Sequence, residues 1–162
     1  MKATRLLLTL FLLSCGDLQG PRPQADLGIP TPPSVSLMAC APLLADSASA
    51  TIGPEGGMIQ VGPHTLSVPA GALADTVTIT AVAPSDTVNR VQFQPQGLQF
   101  QQPAALTLSY ANCNWLGSTL PKQVAYTTDA LEILELLPTL DNVTTQTVTG
   151  QLSHFSDYAI AW

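Results

Sequence analysis

The chain has 162 residues and a formal net charge of −6; 46% of its residues are apolar and 10% are charged. This length corresponds to one domain with appended segments, and the apolar fraction is high enough for a packed core. The acidic balance argues against a nucleic-acid partner, because such proteins need Lys and Arg to displace counterions from phosphate, and against docking on anionic lipid through a basic patch.

The N-terminus has the pattern of an export signal. Lys2 and Arg5 precede the apolar run Leu6–Leu13, which is too short to span a bilayer because a spanning helix needs about 20 apolar residues. A short positive region followed by a short apolar run is typical of a secretory signal. The sequence therefore predicts a signal peptide over residues 1–14.

The residues that close this run resemble the lipobox of bacterial lipoproteins. They are Leu12-Leu13-Ser14-Cys15, with leucine at −3, a small residue at −1 and the cysteine at +1. The resemblance implies that Cys15 is acylated and anchors an exported protein in the bacterial cell envelope, at the outer membrane in a Gram-negative host. Buried acyl chains contribute about 0.8 kcal/mol per CH₂. The alternative is ordinary signal cleavage nearby, with Cys15 incidental.

Residues 15–48 have the composition of a tether. Six of the 14 prolines lie in this segment, and proline removes backbone donors and favours an extended chain without a core. The sequence therefore predicts a disordered, proline-rich tether between the lipid and a domain at residues 49–162. Within it, Leu37–Leu44 is apolar enough to dock onto the domain.

Cys40 and Cys113 remain as a pair once Cys15 is assigned to lipid. In an oxidising compartment such a pair is a disulfide candidate, and the bond would contribute roughly 4 kcal/mol by restricting the unfolded chain. The alternative is two free cysteines. No CxxC pair or Cys/His cluster occurs, so we expect neither a metal nor a cofactor.

Residues 50–73 alternate short β-type runs with turns of the Pro-x-Gly kind. The runs are Met58–Val61 and Thr65–Val68, and the turns are Pro54–Gly56 and Pro69–Gly71. Proline presets φ at the second position of such turns, and glycine closes the fourth. We therefore predict that these turns set the register of the first strands.

The remainder of the chain predicts more strands. Thr76–Ala83 alternates threonine with apolar residues, which is typical of a half-buried strand. Leu131–Leu137 also fits a helical turn, but its length and Pro138 favour a strand. The other predicted strands are Val91–Phe93, Leu98–Phe100, Ala104–Tyr110 after a loop ended by Pro103, Lys122–Thr127, Val143–Thr149 and His154–Trp162. Eight to ten short strands separated by turns predict an all-β sandwich.

Several of these motifs together resemble the ZU-five domain, the β-sandwich shared by ankyrins, zonula occludens proteins and Unc-five netrin receptors. They are the Gly56-Gly57 start, Leu66–Leu73 with Pro69 and Gly71, Val77–Ala81, the passage from Pro95 to Pro103, and Leu152–Ser156. The resemblance implies a non-enzymatic protein-interaction module without a cofactor. The animal members bind cytoskeletal or signalling partners that a bacterial lipoprotein would not meet, so only the fold and a docking surface carry over, here toward an unidentified envelope protein.

The resemblance also implies one alternative activity. Some death-domain-bearing relatives cut themselves between Phe and Ser of an HFS motif. In this chain Ser156 would be the nucleophile, His154 the base and the Phe155–Ser156 peptide the scissile bond. Such a reaction needs a distorted peptide. The other interpretation is a closing strand with Phe155 on the face opposite His154 and Ser156.

Two further candidates concern ligand binding. His64 lies beside a turn without a second histidine, a nearby cysteine or an acidic partner at ligand spacing, so we expect a surface or turn histidine. Trp115 and Tyr126 are the aromatic residues that could stack on a sugar. Binding to an envelope glycan is therefore the second alternative function.

Overall fold

A computed structural model of the chain describes residues 34–115 and 118–162, and Pro33–Trp162 form one compact unit. Within the described residues every regular element is a strand, which confirms the predicted all-β class. The strands are β1 (Asp46–Ile52), β2 (Gly57–Val61), β3 (His64–Val68), β4 (Val77–Ala83), β5 (Arg90–Gln94), β6 (Gln99–Ser109), β7 (Gln123–Thr127), β8 (Ile133–Leu136), β9 (Thr139–Asn142), β10 (Thr147–His154) and β11 (Asp157–Ala161). The predicted signal peptide and Cys15 lie outside the described residues.

The strands form two antiparallel sheets that pack face to face as a sandwich. The order in the six-stranded sheet is β1-β4-β5-β11-β7-β8, and the order in the five-stranded sheet is β2-β3-β6-β10-β9. The last two strands of the chain, β10 and β11, therefore lie inside different sheets. β10 lies between β6 and the preceding strand β9, whereas β11 lies between β5 and β7, which are distant from it in sequence.

Side chains that point inward from both sheets build the core. On β4, Ile79 and Ala81 are fully buried while Thr80 between them is not, as the alternation of apolar and polar residues predicts. The two sheets approach closely where Gly150 of β10 faces Val124 of β7. A Cβ on this glycine would lie 2.7 Å from the Val124 Cβ, so the packing requires glycine there.

The two Pro-x-Gly turns near the start of the domain lie against each other. The Gly56 N–H donates to the Gly53 carbonyl at 3.0 Å and closes the first turn. The Gly71 N–H donates to the Pro54 carbonyl at 2.8 Å, which ties the second turn to the first. Both Gly56 and Gly71 have φ of 79°, in the left-handed region that glycine occupies without strain.

These turns flank the β2–β3 hairpin. Its register runs from Gly57 opposite Val68 to Val61 opposite His64. Pro69 follows β3 directly, and its carbonyl accepts the Ala72 N–H at 3.1 Å. The turns thereby fix where the hairpin begins and ends.

The folded unit begins earlier than the predicted domain start at residue 49. The Met38 N–H donates to the Ile160 carbonyl at 2.8 Å, and Ser36 and Trp162 exchange two backbone hydrogen bonds. Since β5 ends its pairing with β11 at Ala159, this segment occupies the place beside the end of β11. The tether prediction over residues 34–48 is therefore corrected, because Met38 is completely buried and β1 starts at Asp46.

Two other boundaries differ from the predicted strands. Pro103 lies within β6 and does not end a loop, because it occurs where β10 shifts its register against β6, so no ladder hydrogen bond is lost. The predicted extended run Val143–Thr149 is a turn followed by the start of β10. The Asn142 side chain accepts the Thr144 and Thr145 N–H groups, and such Asx turns compete with extended structure.

The predicted disulfide is confirmed. Cys40 and Cys113 are joined by an S–S bond across a sequence separation of 73 residues. The two residues also form an isolated β-bridge, and the neighbouring Ala41 N–H donates to the Asn112 carbonyl at 2.9 Å. The bond fastens the segment before β1 to the loop after β6.

Candidate functional site

The His154–Ser156 motif connects the two sheets at the change from β10 to β11. Phe155 is buried, and its ring stacks on Phe93 of β5 and meets Phe100 of β6 edge-on, with both centroids 4.9 Å away. Its backbone is held on both sides, since the Phe155 N–H donates to Leu98 and the Phe155 carbonyl accepts from Gly97. The motif is therefore an ordered crossing between the sheets.

The geometry of this motif gives mixed support for self-cleavage. The Gly97 N–H lies 2.9 Å from the Phe155 carbonyl oxygen, where it could stabilise an oxyanion if Ser156 attacked this carbonyl. However, the Nδ1 of His154 contacts the Ser153 Oγ at 3.3 Å. Among the described residues, positive φ outside glycine occurs only at Leu131 and Gln146, so no such strain activates the Phe155–Ser156 bond.

Neither aromatic residue nominated for glycan stacking lies free on the surface. Trp115 is half-buried and packs edge-on against Tyr110 at 6.1 Å between centroids. Tyr126 is half-buried against His154 at 5.0 Å. The Lys122 Nζ lies 5.8 Å from the Trp115 ring centroid and 5.5 Å from that of Trp162. Both nominated rings therefore pack within the protein.

A small apolar pocket lies beside Trp162, which the sequence analysis did not nominate. Its volume is about 170 Å³, and it is lined by Val35, Leu120, Pro121, Gln123 and Trp162. An aromatic ring next to an amide side chain is a combination that can hold a sugar ring. The pocket forms only because residue 35 folds back beside the C-terminus, so sequence alone gave no signal for it.

His64 is buried and is not the surface histidine that the sequence predicted. Only 2% of it is exposed, at the start of β3 with its ring turned inward. The Nδ1 accepts the Ser109 N–H at 3.2 Å, which requires this nitrogen to be unprotonated. Burial lowers the pKa of His64 to about 4. Its role in the described structure is to satisfy a backbone donor.

Tyr110, the residue after Ser109, belongs to a second hydrogen-bonded group. The Tyr110 hydroxyl donates to the Asp141 Oδ1 at 2.7 Å, and the other oxygen of Asp141 accepts the Lys122 N–H at 3.0 Å. Burial first, and then the bond to Asp141, raises the pKa of Tyr110 well above its usual range. The phenol remains neutral and acts as a structural donor.

Asp157 is a buried acidic residue that sequence reasoning missed. It begins β11, lies opposite Gln92 and Thr127, and is 1% exposed. The Gln92 Nε2 donates to its Oδ2 at 2.8 Å, whereas its Oδ1 has no protein partner. The residue follows Ser156 in a sequence that looks like a closing strand, and its burial depends on a loop that is distant in sequence.

The outer face of the five-stranded sheet has a distinctive composition. Residues directly opposite each other in a sheet share a face, so the register defines two rows across it. One row is Gln60, Thr65, Thr107, Thr149 and Leu140, and the other is Met58, Ser67, Ala105 and Gln151. None of the nine side chains is charged. We call this set the open face.

Large apolar side chains border the open face. Met58 on β2 is 67% exposed and Leu140 on β9 is 74% exposed. Between them the Thr107 and Thr149 hydroxyls are hydrogen-bonded at 2.9 Å. Interface centres are depleted in charged residues and enriched in methionine relative to other surface, and the open face matches that composition.

Charge elsewhere on the domain is almost entirely negative. Residues 34–162 contain nine Asp or Glu and two cations, Arg90 and Lys122. Lys122 is 3% exposed, and its ammonium donates to the Leu120 carbonyl at 2.9 Å. Arg90 is paired with Asp86 at 3.2 Å. The domain therefore carries a net negative charge.

The described residues hold no group of three or more His, Cys, Asp or Glu side chains placed to bind a metal ion. They also contain no helix long and apolar enough to cross a membrane. No family model and no curated protein matches the chain.

Proposed function

We propose that this chain is a lipid-anchored protein of the bacterial cell envelope that presents its β-sandwich as a non-enzymatic interaction module. The lipid is attached to Cys15, and the partner is an envelope protein that docks on the open face. The resemblance of the sequence to a lipobox and to the ZU-five domain supports the anchor and the type of module.

The observation that carries the docking surface is the absence of charge across the open face. Protein surfaces typically carry about 25–35% charged residues, and this domain does have carboxylates in its loops. The two rows instead present hydroxyl, amide and methyl groups between Met58 and Leu140. Such a surface can be desolvated by a partner without burying an unpaired charge.

The docking surface is tested by photo-crosslinking in cells. A photoreactive amino acid at Gln60, in the longer row of the open face, should capture a discrete protein that mass spectrometry identifies. The matched control carries the same group at Thr78, which is exposed on the outer face of the other sheet. Equal capture from both positions, or capture from Thr78 alone, would reject the open face as the docking surface.

The anchor is tested separately. Wild-type protein should partition into detergent, carry the mass of a lipid-modified N-terminus and accumulate as precursor when the lipoprotein signal peptidase is inhibited with globomycin. Cys15→Ala should abolish all three properties. A mature protein without added lipid mass would contradict the anchor but leave the docking surface intact.

Glycan binding is a second candidate, favoured by the pocket beside Trp162. The Trp162 ring and the Gln123 side chain line the same apolar pocket. Retention on peptidoglycan or envelope polysaccharide that is lost in Trp162→Ala and kept in Trp115→Phe would support this function. Retention that is unchanged in Trp162→Ala would remove the pocket from consideration.

Self-cleavage is favoured by one contact, the Gly97 N–H on the Phe155 carbonyl. If the reaction occurs, the denatured mature protein loses the tail Ser156–Trp162 by mass, and Ser156→Ala restores it. An intact wild-type mass excludes the activity. Cleavage would separate β11 covalently from the rest of the chain. Its pairing with β5 and β7 should nevertheless hold the two fragments together until the protein is denatured.

A further inference from the structure

Three buried polar atoms without a protein partner lie together on the outer side of the six-stranded sheet. They are the Asp157 Oδ1, the Thr127 Oγ1 and the Arg90 Nε, and they are the three such side-chain atoms found within residues 34–115 and 118–162. Thr127 lies directly opposite Asp157, and Arg90 is two residues from Gln92, the other partner of Asp157. Buried polar groups normally have partners, so this concentration at one place requires an explanation.

A loop covers this cluster. Residues 128–132, between β7 and β8, form a turn that is closed on itself, since the Thr128 N–H donates to the Glu132 carbonyl at 3.0 Å and the Leu131 N–H to the Thr128 carbonyl at 2.9 Å. Two contacts tie it to the sheet. The Arg90 Nη1 donates to the Asp129 carbonyl at 3.4 Å, and the Asp129 carboxyl lies within hydrogen-bonding reach of Asp157.

We propose that Asp157 retains a proton that it donates to the Asp129 carboxylate, and that loss of this proton releases the loop 128–132 from the sheet. The proton leaves to solvent, and no other bond changes. The result is a pH-sensitive cover over the inner strand β11. It is independent of the function proposed above.

A shared proton fits this cluster better than a metal ion. A divalent cation could use the oxygens of Asp157, Asp129 and Thr127, but the third unpartnered atom is the Nε of a guanidinium, which donates hydrogen bonds and repels cations. Two carboxyl groups in contact cannot both be ionised without repulsion, so one of them keeps a proton. A protonated Asp157 also gives its Oδ1 a partner.

All charged groups that face Asp157 contribute to its titration. They are Arg90 from β5, itself paired with Asp86, and Asp129 from the loop; β7 supplies the uncharged Thr127. Burial is the largest effect and raises the pKa of Asp157, and the contact with Asp129 raises it further. The Gln92 hydrogen bond and the Arg90 charge act in the opposite direction.

The sign of the pH effect follows from this direction. A carboxyl whose pKa is higher in the closed state than its ordinary value of 3.8 stabilises that state fully below 3.8. The stabilisation is lost as the pH rises through the folded pKa. The equilibrium constant for opening the loop should therefore increase about tenfold per pH unit above 3.8. It should become constant above the pKa that Asp157 has in the closed state.

Hydrogen exchange of the loop amides in the full protein tests this proposal. In the wild type, the protection of the Leu131 and Glu132 amides, corrected for intrinsic exchange, should fall with this slope above about pH 4 and become constant at higher pH. Asp157→Asn, which is neutral at every pH and still donates to Asp129 and accepts from Gln92, should keep the protection constant. Asp75→Asn removes an exposed carboxylate elsewhere and should leave the wild-type slope unchanged.

Asp129→Asn provides a second variant, since Asp129 is exposed and its substitution does not disturb the core. It should narrow the pH range over which protection falls, because the repulsion is removed while the burial of Asp157 remains. Wild-type protection that is independent of pH, a slope that persists in Asp157→Asn, or a pH range in Asp129→Asn equal to that of the wild type would overturn the proposal.

Discussion

The outer faces of the two sheets differ in what they do with polar side chains. On the five-stranded sheet, uncharged hydroxyl and amide groups form the open face and remain accessible to solvent. On the six-stranded sheet, Arg90 and Asp157 lie close together and are covered by the loop 128–132. The open face is thus accessible to solvent, whereas the polar cluster around Asp157 on the second face is covered by the chain itself.

Truncating Phe155, which connects the two sheets, should have the largest effect on the stability of the domain. Phe155→Ala leaves a cavity against Phe93 and Phe100 and should lower the free energy of unfolding by about 3–5 kcal/mol. Denaturant titration measures the loss. Phe155→Leu, which keeps most of the volume, should lose less. An equal loss for both variants would show that cavity volume is not the cause.

The buried histidine should make the stability of the domain depend on pH in the direction opposite to Asp157. His64 has a folded pKa of about 4 against an ordinary value of 6.5, so the unfolded chain binds more protons between these values. Stability should fall by about 3 kcal/mol as the pH drops from 6.5 to 4. Denaturant titration in the Asp157→Asn background isolates this effect.

The control for this prediction is the other histidine. His154→Gln leaves His64 in place as the acceptor of the Ser109 N–H, so the dependence of stability on pH should be kept. His64→Gln should remove this pH dependence. A slope of equal size in His64→Gln would mean that another group is responsible.

Adding a methyl group where the two sheets meet should have a smaller effect on stability. Gly150→Ala places a methyl group against Val124 and should destabilise the domain by about 1–3 kcal/mol through overpacking. Because the clash is pairwise, the loss in Gly150→Ala should shrink when Val124 is also replaced by glycine, which removes the nearest atom, the Val124 Cβ. Additive losses in the double variant would argue that the sheets do not meet at this point.

A charge on the open face should have the smallest effect on stability. Gln151→Lys changes an exposed residue, so the free energy of unfolding should stay within about 0.5 kcal/mol of wild type. Partner capture from Gln60 should nevertheless fall, since docking would then bury a charge. Thr78→Lys on the other sheet should change neither quantity.

The sequence predicted the all-β class, the disulfide and the alternation of β4 because these depend on local pattern or on composition. It missed β1, whose first five residues, Asp46 to Ala50, lack the bulky side chains that mark strands. It placed a loop end at Pro103, since only the register of β10 makes a proline acceptable there. Local pattern cannot supply such tertiary context.

The same dependence on tertiary contacts explains which features of the candidate sites the sequence could predict. The HFS motif was visible in the sequence, but its contacts with Gly97 and Phe93 come from other strands. The open face depends on five strands being in one register, and the burial of Asp157 depends on a loop about 25 residues earlier in the chain. Pairing between distant segments determines both.

The most direct test of the functional account is the comparison of in-cell crosslinks from the two faces. We predict that a photoreactive group at Gln60 captures one envelope protein and that the same group at Thr78 captures none. Capture of that protein from Thr78 but not from Gln60, or no discrete partner from either position, would contradict the assignment of the open face as the docking surface.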